Sequence, residues 1–207
     1  MRFASVLSKA LALAALVSVT ACATAGPPPP RPEPKLAFTS KMAIIAPASS
    51  VSFQDDYTPT SAAPHVEQAH NMRPDSVAQL WVDKRLKGTS MAHGTLTLTV
   101  LDASVVQQDL PMDTSFKARL LTRQPEYRLV GSLKWRLTYK GPILTSWSSD
   151  GTAEASASVL EQSSINDQDQ AYADLIDGIA QNFDARVEEQ ITNLRKAQSD
   201  AADATGH

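Results

Sequence analysis

The chain has 207 residues, of which 19 are basic and 22 are acidic, so its net charge is −3 with neutral histidines. This acidic balance argues against bulk nucleic-acid binding, because phosphates attract a surplus of lysine and arginine. The single cysteine, Cys22, excludes an internal disulfide framework and a zinc site built on several cysteine ligands.

Residues 1–21 have the three parts of a secretory signal peptide. Two basic residues stand near the start, an apolar stretch runs from Ala10 to Val19, and small residues follow. The apolar stretch is too short to cross a bilayer as a helix. It ends in Val19-Thr20-Ala21-Cys22, which resembles the lipobox of bacterial lipoproteins. The resemblance implies cleavage before Cys22 and transfer of a diacylglyceryl group to its thiol.

A covalent lipid also explains why Cys22 has no disulfide partner anywhere in an exported chain. The resemblance implies a second, amide-linked acyl chain such as palmitate, and two or more acyl chains anchor a protein stably to a membrane. The alternative is a conventional secretory peptide with an incidental cysteine. We predict no cofactor apart from the lipid on Cys22.

The residues after Cys22 are Ala23 and Thr24, with no aspartate beside the cysteine. In enterobacterial lipoproteins this resembles the signal for release to the outer membrane. The predicted location is therefore the inner leaflet of the outer membrane, facing the periplasm, with the inner membrane as the alternative.

A proline-rich segment, GPPPPRPEP at residues 26–34, separates the cysteine from the rest of the chain. Such a sequence prefers extended polyproline II geometry, so we predict that residues 22–35 form a lipidated spacer. Residues 36–199 are predicted to form a single domain, and residues 200–207 a disordered tail. Residues 1–21 hold two basic and no acidic residues, so the mature chain has 17 basic and 22 acidic residues and a net charge of −5.

The first half of the domain is predicted to contain two strands and a helix. The apolar run from Met42 to Ala46 is typical of a strand, whereas residues 48–71 are polar and without periodicity, which predicts a long loop. Apolar residues recur at helical spacing from Ser76 to Leu86, and Gly88 is placed to end that helix. Residues 95–100 alternate strictly between threonine and an aliphatic residue, which predicts a half-buried strand that continues toward Val106.

The second half is predicted to be an antiparallel hairpin followed by a long helix. Residues 127–139 alternate with period two, Lys140-Gly141-Pro142 turns the chain, and residues 145–159 return with small alanines on the buried face. These alanines leave room for the last segment to lie close. That segment is an amphipathic helix with the apolar stripe Tyr172, Leu175, Ile176, Ile179, Phe183, Val187, Ile191 and Leu194. Its opposite face carries Asp174, Asp177, Asp184, Glu188, Glu189 and Arg195.

These elements predict an α+β fold in which two helices pack on one face of an antiparallel sheet. The other face then stays uncovered and carries the cations of the clearest strand, Arg128, Lys134, Arg136 and Lys140. Four cations on one side of a sheet are suited to anionic lipid headgroups or to an acidic partner. The alternative interpretation is an outer face that serves solubility alone.

No motif of a catalytic or metal site is present in the sequence. There is no G-x-S-x-G, no HExxH, no EF-hand loop and no phosphate-binding glycine loop. His65 and His70 stand five apart in the predicted loop and do not match the helical metal pair. His93, beside Gly94, is predicted to be a turn residue. We therefore predict that the protein is not an enzyme and holds no metal.

The layout resembles the auxiliary lipoproteins of ABC-type lipid transport systems and, more loosely, the lipopolysaccharide-assembly lipoprotein of the outer-membrane translocon. The resemblance rests on Cys22, the early strand at Met42 to Ala46, the strand at residues 127–139 and the helix at residues 172–194. It implies a non-catalytic partner of a transporter or barrel in the envelope. Two other hypotheses remain: a structural lipoprotein that self-associates through the stripe of the final helix, and an enzyme with an unrecognised site.

If Cys22 carries the anchor, the variant Cys22→Ser is released into the soluble fraction, because it has no thiol to acylate. Cell fractionation measures the distribution between membrane and soluble protein. Persistent membrane attachment of this variant would overturn the interpretation.

Overall fold

The computed structural model describes residues 30–111, 124–142 and 144–205, so Cys22, the signal peptide and most of the spacer lie outside it. Within these ranges the helices are α1 (Pro74–Arg85) and α2 (Ile165–Thr205), with 3₁₀ turns at Ala37–Ser40 and Glu67–Ala69. The strands are β1 (Ile44–Ile45), β2 (Ser50–Asp55), β3 (Leu86–Lys87), β4 (Thr95–Asp102), β5 (Val105–Asp109), β6 (Pro125–Lys140) and β7 (Trp147–Leu160). Among the residues described, no helix has the length and apolar character needed to cross a bilayer.

The main sheet has five strands and is organised around β6, which pairs with β7 along one side. On its other side β6 pairs with β4 and then with β5, because the chain bends at Ala103 and Ser104. These pairings are antiparallel, whereas β2 joins the far side of β4 in parallel, and β1 and β3 form a separate parallel pair. The predicted α+β fold is confirmed, with a mixed rather than a purely antiparallel sheet.

Strand β2 lies inside the segment 48–71, for which the sequence predicts only a long loop. The prediction is wrong here because Val51 and Phe53 pack against the core, while Ser50 and Ser52 bond with threonines of β4. The pairing partner begins 45 residues further along the chain, so no local pattern reveals it. Similarly, the strand predicted to continue toward Val106 is divided into β4 and β5.

The core lies between the inner face of the sheet and both helices. The period-two pattern of β6 places Leu133, Trp135 and Leu137 inward, and all three are fully buried. Phe183 of α2 meets Trp135 edge-on at a centroid distance of 4.7 Å and Trp81 of α1 at 5.5 Å. The predicted arrangement of two helices on one face is therefore present, and the apolar stripe of α2 is core.

Small residues allow α2 to approach the sheet closely. A Cβ atom on Gly178 would lie 2.9 Å from the Cβ of Ala155, and one on Gly131 would lie 2.6 Å from Ile179 Cδ1. Gly131 and Ala155 are directly paired across β6 and β7. The predicted room above the alanines of the hairpin is thus occupied by α2.

Polar side chains of α2 donate hydrogen bonds to backbone carbonyls of β7 and of the segment that contains β1. Gln190 donates to the Asp150 carbonyl at 3.0 Å and also accepts from the Trp135 indole at 2.8 Å. Towards the end of α2, Arg195 donates to the Ile45 carbonyl and Gln198 to the Pro47 carbonyl. The helix continues to Thr205, so residues 200–205 are helical where the sequence predicts a disordered tail, since their alanines favour helix.

A buried ionic cluster joins the two helices to the start of the domain. Asp184, which the sequence places on the polar face of the last helix, is only 3% exposed. Its carboxylate accepts from Lys41 at 2.5 Å, from the Trp81 indole at 2.6 Å and from Arg85 at 3.2 Å. Arg85 in turn donates to Glu188 and to the carbonyl of Met42.

These contacts fix the protonation state of Asp184. Burial alone would raise the pKa of the Asp184 carboxyl, but the hydrogen bonds from Lys41, Trp81 and Arg85 together outweigh it and hold that pKa below its ordinary 3.8. A lowered carboxyl pKa stabilises the fold fully above the unfolded value, and this stabilisation is lost as the pH falls through the folded value. The cluster therefore weakens only in acid.

We expect Asp184→Ala to lower the free energy of unfolding by about 3–5 kcal/mol at pH 7, because it removes one of the two carboxylate partners of the buried Arg85 and leaves the Trp81 indole N–H without its acceptor. Denaturant unfolding measures the loss. The difference from the wild type should shrink as the pH falls below 3.8. Asp174→Ala, at an exposed position of the same helix, is the matched control and should cost under about 0.5 kcal/mol. Equal losses in both variants would refute the role of the cluster.

Candidate functional site

The four cations predicted to share a face, Arg128, Lys134, Arg136 and Lys140, do lie on the outer face of β6 and are mostly exposed. Two of them are paired with carboxylates of neighbouring strands. Lys134 Nζ lies 3.1 Å from Asp102 Oδ2, and Arg136 binds both carboxylate oxygens of Asp150 at 2.7 and 3.0 Å. The hydrogen bonds between Arg136 and Asp150 raise the pKa of the arginine and lower the pKa of the carboxyl.

Arg128 and Lys140 have no carboxylate partner among the residues that the structure describes. They stand 12 residues apart on β6, which corresponds to about 40 Å along an antiparallel strand. Between them the face is mainly hydroxyl-bearing, with Ser50 and Thr95 2.9 Å apart across β2 and β4. The outer face is therefore polar and nearly neutral in its middle, and the cations at its ends have no partner in the described part of the chain.

A second polar cluster is centred on Glu67, whose side chain is fully buried. The Tyr57 hydroxyl donates to Glu67 at 2.6 Å, the Val105 backbone N–H donates at 3.1 Å, and His65 Nδ1 lies 3.3 Å away. Burial alone would raise the pKa of Glu67, but these hydrogen bonds hold it below its ordinary value. Through these contacts the buried carboxylate holds the segment before α1 against β5.

The end of the spacer is bound to the domain instead of standing free. The Arg31 guanidinium lies 3.7 Å from Asp169, and the Leu36 backbone N–H donates to Asp177 at 2.9 Å, so this segment runs along α2. Pro32 and Pro34 are half-buried against the domain. The compact unit therefore begins at Arg31, five residues before the predicted domain boundary.

A cavity of about 210 Å³ lies beneath this segment. Its wall contains His70, whose ring stacks on Tyr172 at a centroid distance of 3.5 Å and an angle of 7°. Burial lowers the pKa of His70, so its imidazole is neutral at pH 7. The cavity is smaller than the roughly 300–1,000 Å³ of ligand pockets, so it does not by itself indicate a ligand.

The structure separates the histidines that the sequence singles out. His65 contacts Glu67, His70 stacks on Tyr172, and the backbone carbonyl of His93 accepts a hydrogen bond from Tyr139. His93 precedes Gly94 at a positive φ of 85°, which fits the predicted turn. Within residues 30–111, 124–142 and 144–205, no group of three or more histidine or acidic side chains is placed to hold a metal.

Comparison with known proteins gives no family for the chain. No protein-family model and no curated protein matches it. Among solved structures it is similar to rare lipoprotein B from Shewanella oneidensis, at 9% identity and a TM-score of 0.43, over 70% of this chain and 98% of that one. It is also similar to a minor lipoprotein from Acinetobacter baumannii, at 14% identity and a TM-score of 0.37, over 71% and 92%. Similarity at these scores assigns neither a fold family nor a function to this chain.

Proposed function

We propose that the protein is a lipid-anchored lipoprotein of the bacterial envelope that acts as a non-catalytic accessory or assembly subunit of a lipid-transport complex. Its anchor is the lipid on Cys22, and its domain faces the periplasm from the inner leaflet of the outer membrane. The signal peptide and the lipobox-like sequence before Cys22 support the anchor. The docking role is inferred from the outer face of the sheet and from the bound end of the spacer.

The observation that carries this proposal is the outer face of the five-stranded sheet, on which neither of the described helices packs. Both helices pack on the inner face, so the outer side chains of β2, β4, β6 and β7 are left to solvent or to a partner. A non-obligate protein interface is no more apolar than the rest of the surface. A polar sheet face whose end cations, Arg128 and Lys140, have no carboxylate partner among the described residues therefore suits a partner that docks through hydrogen bonds and acidic groups.

The bound spacer supports a position close to the membrane. Because Arg31 is held on α2, only residues 23–30 remain between the lipidated cysteine and the domain. Fully extended, this stretch reaches roughly 30 Å, which is less than the unbound spacer would reach. Such a tether keeps the domain beside a membrane-embedded complex.

The alternative of a structural lipoprotein requires the apolar stripe of α2 to be available for self-association. All eight residues of the α2 stripe are at most 3% exposed within one copy of the domain. A stripe buried in the core cannot pair with a second chain unless the domain opens.

We expect the double variant Arg128→Glu, Lys140→Glu to reduce co-purification with transporter or barrel components at least tenfold, because both unpaired cations of the outer face are reversed. The measurement is affinity purification of the full-length lipoprotein from membranes. The control is Lys84→Glu, Lys196→Glu, which makes the same charge change at exposed helix positions. Undiminished co-purification of the first variant, or a wild type that brings down no such component, would count against the proposal.

A further inference from the structure

We propose that the free edge of β7 is a docking site for an extended strand of a partner protein, which pairs with the main chain between Thr152 and Ser158. This surface is distinct from the outer face of the sheet. The inference goes beyond the proposed function and does not depend on the identity of the transport complex.

Strand β7 is an edge strand of 14 residues, paired on one side with β6 and with no other described strand on its second side. An edge strand presents unpaired N–H and C=O groups that can template another strand. Most edge strands are short or blocked, whereas this one is more than twice the usual strand length of roughly 5–6 residues. It is therefore the longest edge strand of the main sheet in the described part of the chain.

The contacts of α2 show which groups point outward. The carbonyls of Asp150 and Glu154 accept hydrogen bonds from Gln190 and Asn182, so they face away from β6. In an antiparallel pair both backbone groups of a residue point the same way, and the direction alternates along the strand. The groups of Thr152, Ser156 and Ser158 therefore also face outward, and none has a partner among the residues described.

Two side chains of α2 contact this edge, and only one of them limits its open part. Gln190 is buried and also binds the Trp135 indole, so its side chain is held in place and occupies the edge at the Asp150 carbonyl. Asn182 is exposed, and its amide lies 2.8 Å from the Glu154 carbonyl. A carbonyl oxygen has two lone pairs and an exposed amide can rotate away, so Glu154 does not block pairing. The usable window runs from Thr152 to Ser158, about 20 Å of strand.

A polar groove of about 610 Å³ runs between this edge and α2. Its wall includes Thr152, Glu154, Asn182 and Arg186. Arg186 is exposed and has no carboxylate partner among the described side chains. A partner strand that carries an acidic side chain opposite Arg186 would gain an ion pair in addition to the main-chain bonds.

The position of α2 favours a single strand over a second copy of this domain. Gly178 lies against Ala155, so α2 runs directly over β7. Pairing β7 with β7 of another copy would bring a second α2 beside the first on the same face, and packed helices need roughly 8–10 Å between their axes whereas paired strands lie only about 4.8 Å apart. A lone extended segment brings no helix with it and fits the groove.

The test is photocrosslinking of the full-length lipoprotein in its membrane, with benzoylphenylalanine in place of Glu154 beside the edge. The discriminating variants are Ser156→Pro, Ser158→Pro, which remove two outward N–H groups without removing a bond to β6. Ser156→Ala, Ser158→Ala is the matched control, because it changes the same side chains and keeps the backbone donors. A label in place of Thr95, on the outer face of β4, reports on contacts made away from the edge.

We expect one protein adduct from the label at position 154 that falls at least tenfold in the proline pair and persists in the alanine pair. Arg186→Glu should weaken the same adduct and Arg186→Lys should keep it, which provides a test that leaves the backbone of β7 intact. An adduct equal in mass to two copies of this chain, an adduct unaffected by both the proline pair and Arg186→Glu, or the same adduct from position 95 would overturn the proposal. Arg128→Glu, Lys140→Glu should leave the edge adduct unchanged, which separates this inference from the docking role of the outer face.

Discussion

The close contact of α2 with the hairpin of β6 and β7 is the constraint on which the rest of the domain depends. Gly131, Ala155 and Gly178 lie where the helix packs on the sheet. A Cβ atom added at either glycine would lie less than 3 Å from an atom of the opposite element. This approach brings Phe183 onto Trp135 and lets Gln190 reach both the indole and the edge of β7. The helix can pack this closely on β6 and β7 because these residues are small.

The same contact decides which surfaces remain for other molecules. With α1 and α2 on one face, the inner side of the sheet is closed, and Asp184 ties both helices to Lys41 at the start of the domain. Among the described residues, the outer face and the edge of β7 beyond Gln190 lie away from these contacts. Both surfaces are polar and display main-chain or hydroxyl groups, and both docking proposals are built on these groups.

Charge is distributed differently in three dimensions than along the strand. The stripe of four cations on β6 meets Asp102 of β4 and Asp150 of β7, so its middle is neutralised. The spacer is similarly drawn onto α2 by Asp169 and Asp177. In both cases groups that have no partner in the local sequence contact acidic side chains of another element.

The sequence by itself determined the features that repeat over short distances or form a contiguous motif. The alternation of β6 and the stripe of α2 predicted the hairpin, the long helix and the α+β fold, because burial of one face imposes periods of 2 and 3.6 residues. Only the tertiary structure decided the pairing of β2 with β4, the burial of Glu67 and Asp184, and the neutralisation of Lys134 and Arg136. Most of these depend on a partner more than 30 residues away, which leaves no trace in the local pattern of either segment, whereas the contact of Arg136 with Asp150 depends on the register of the hairpin.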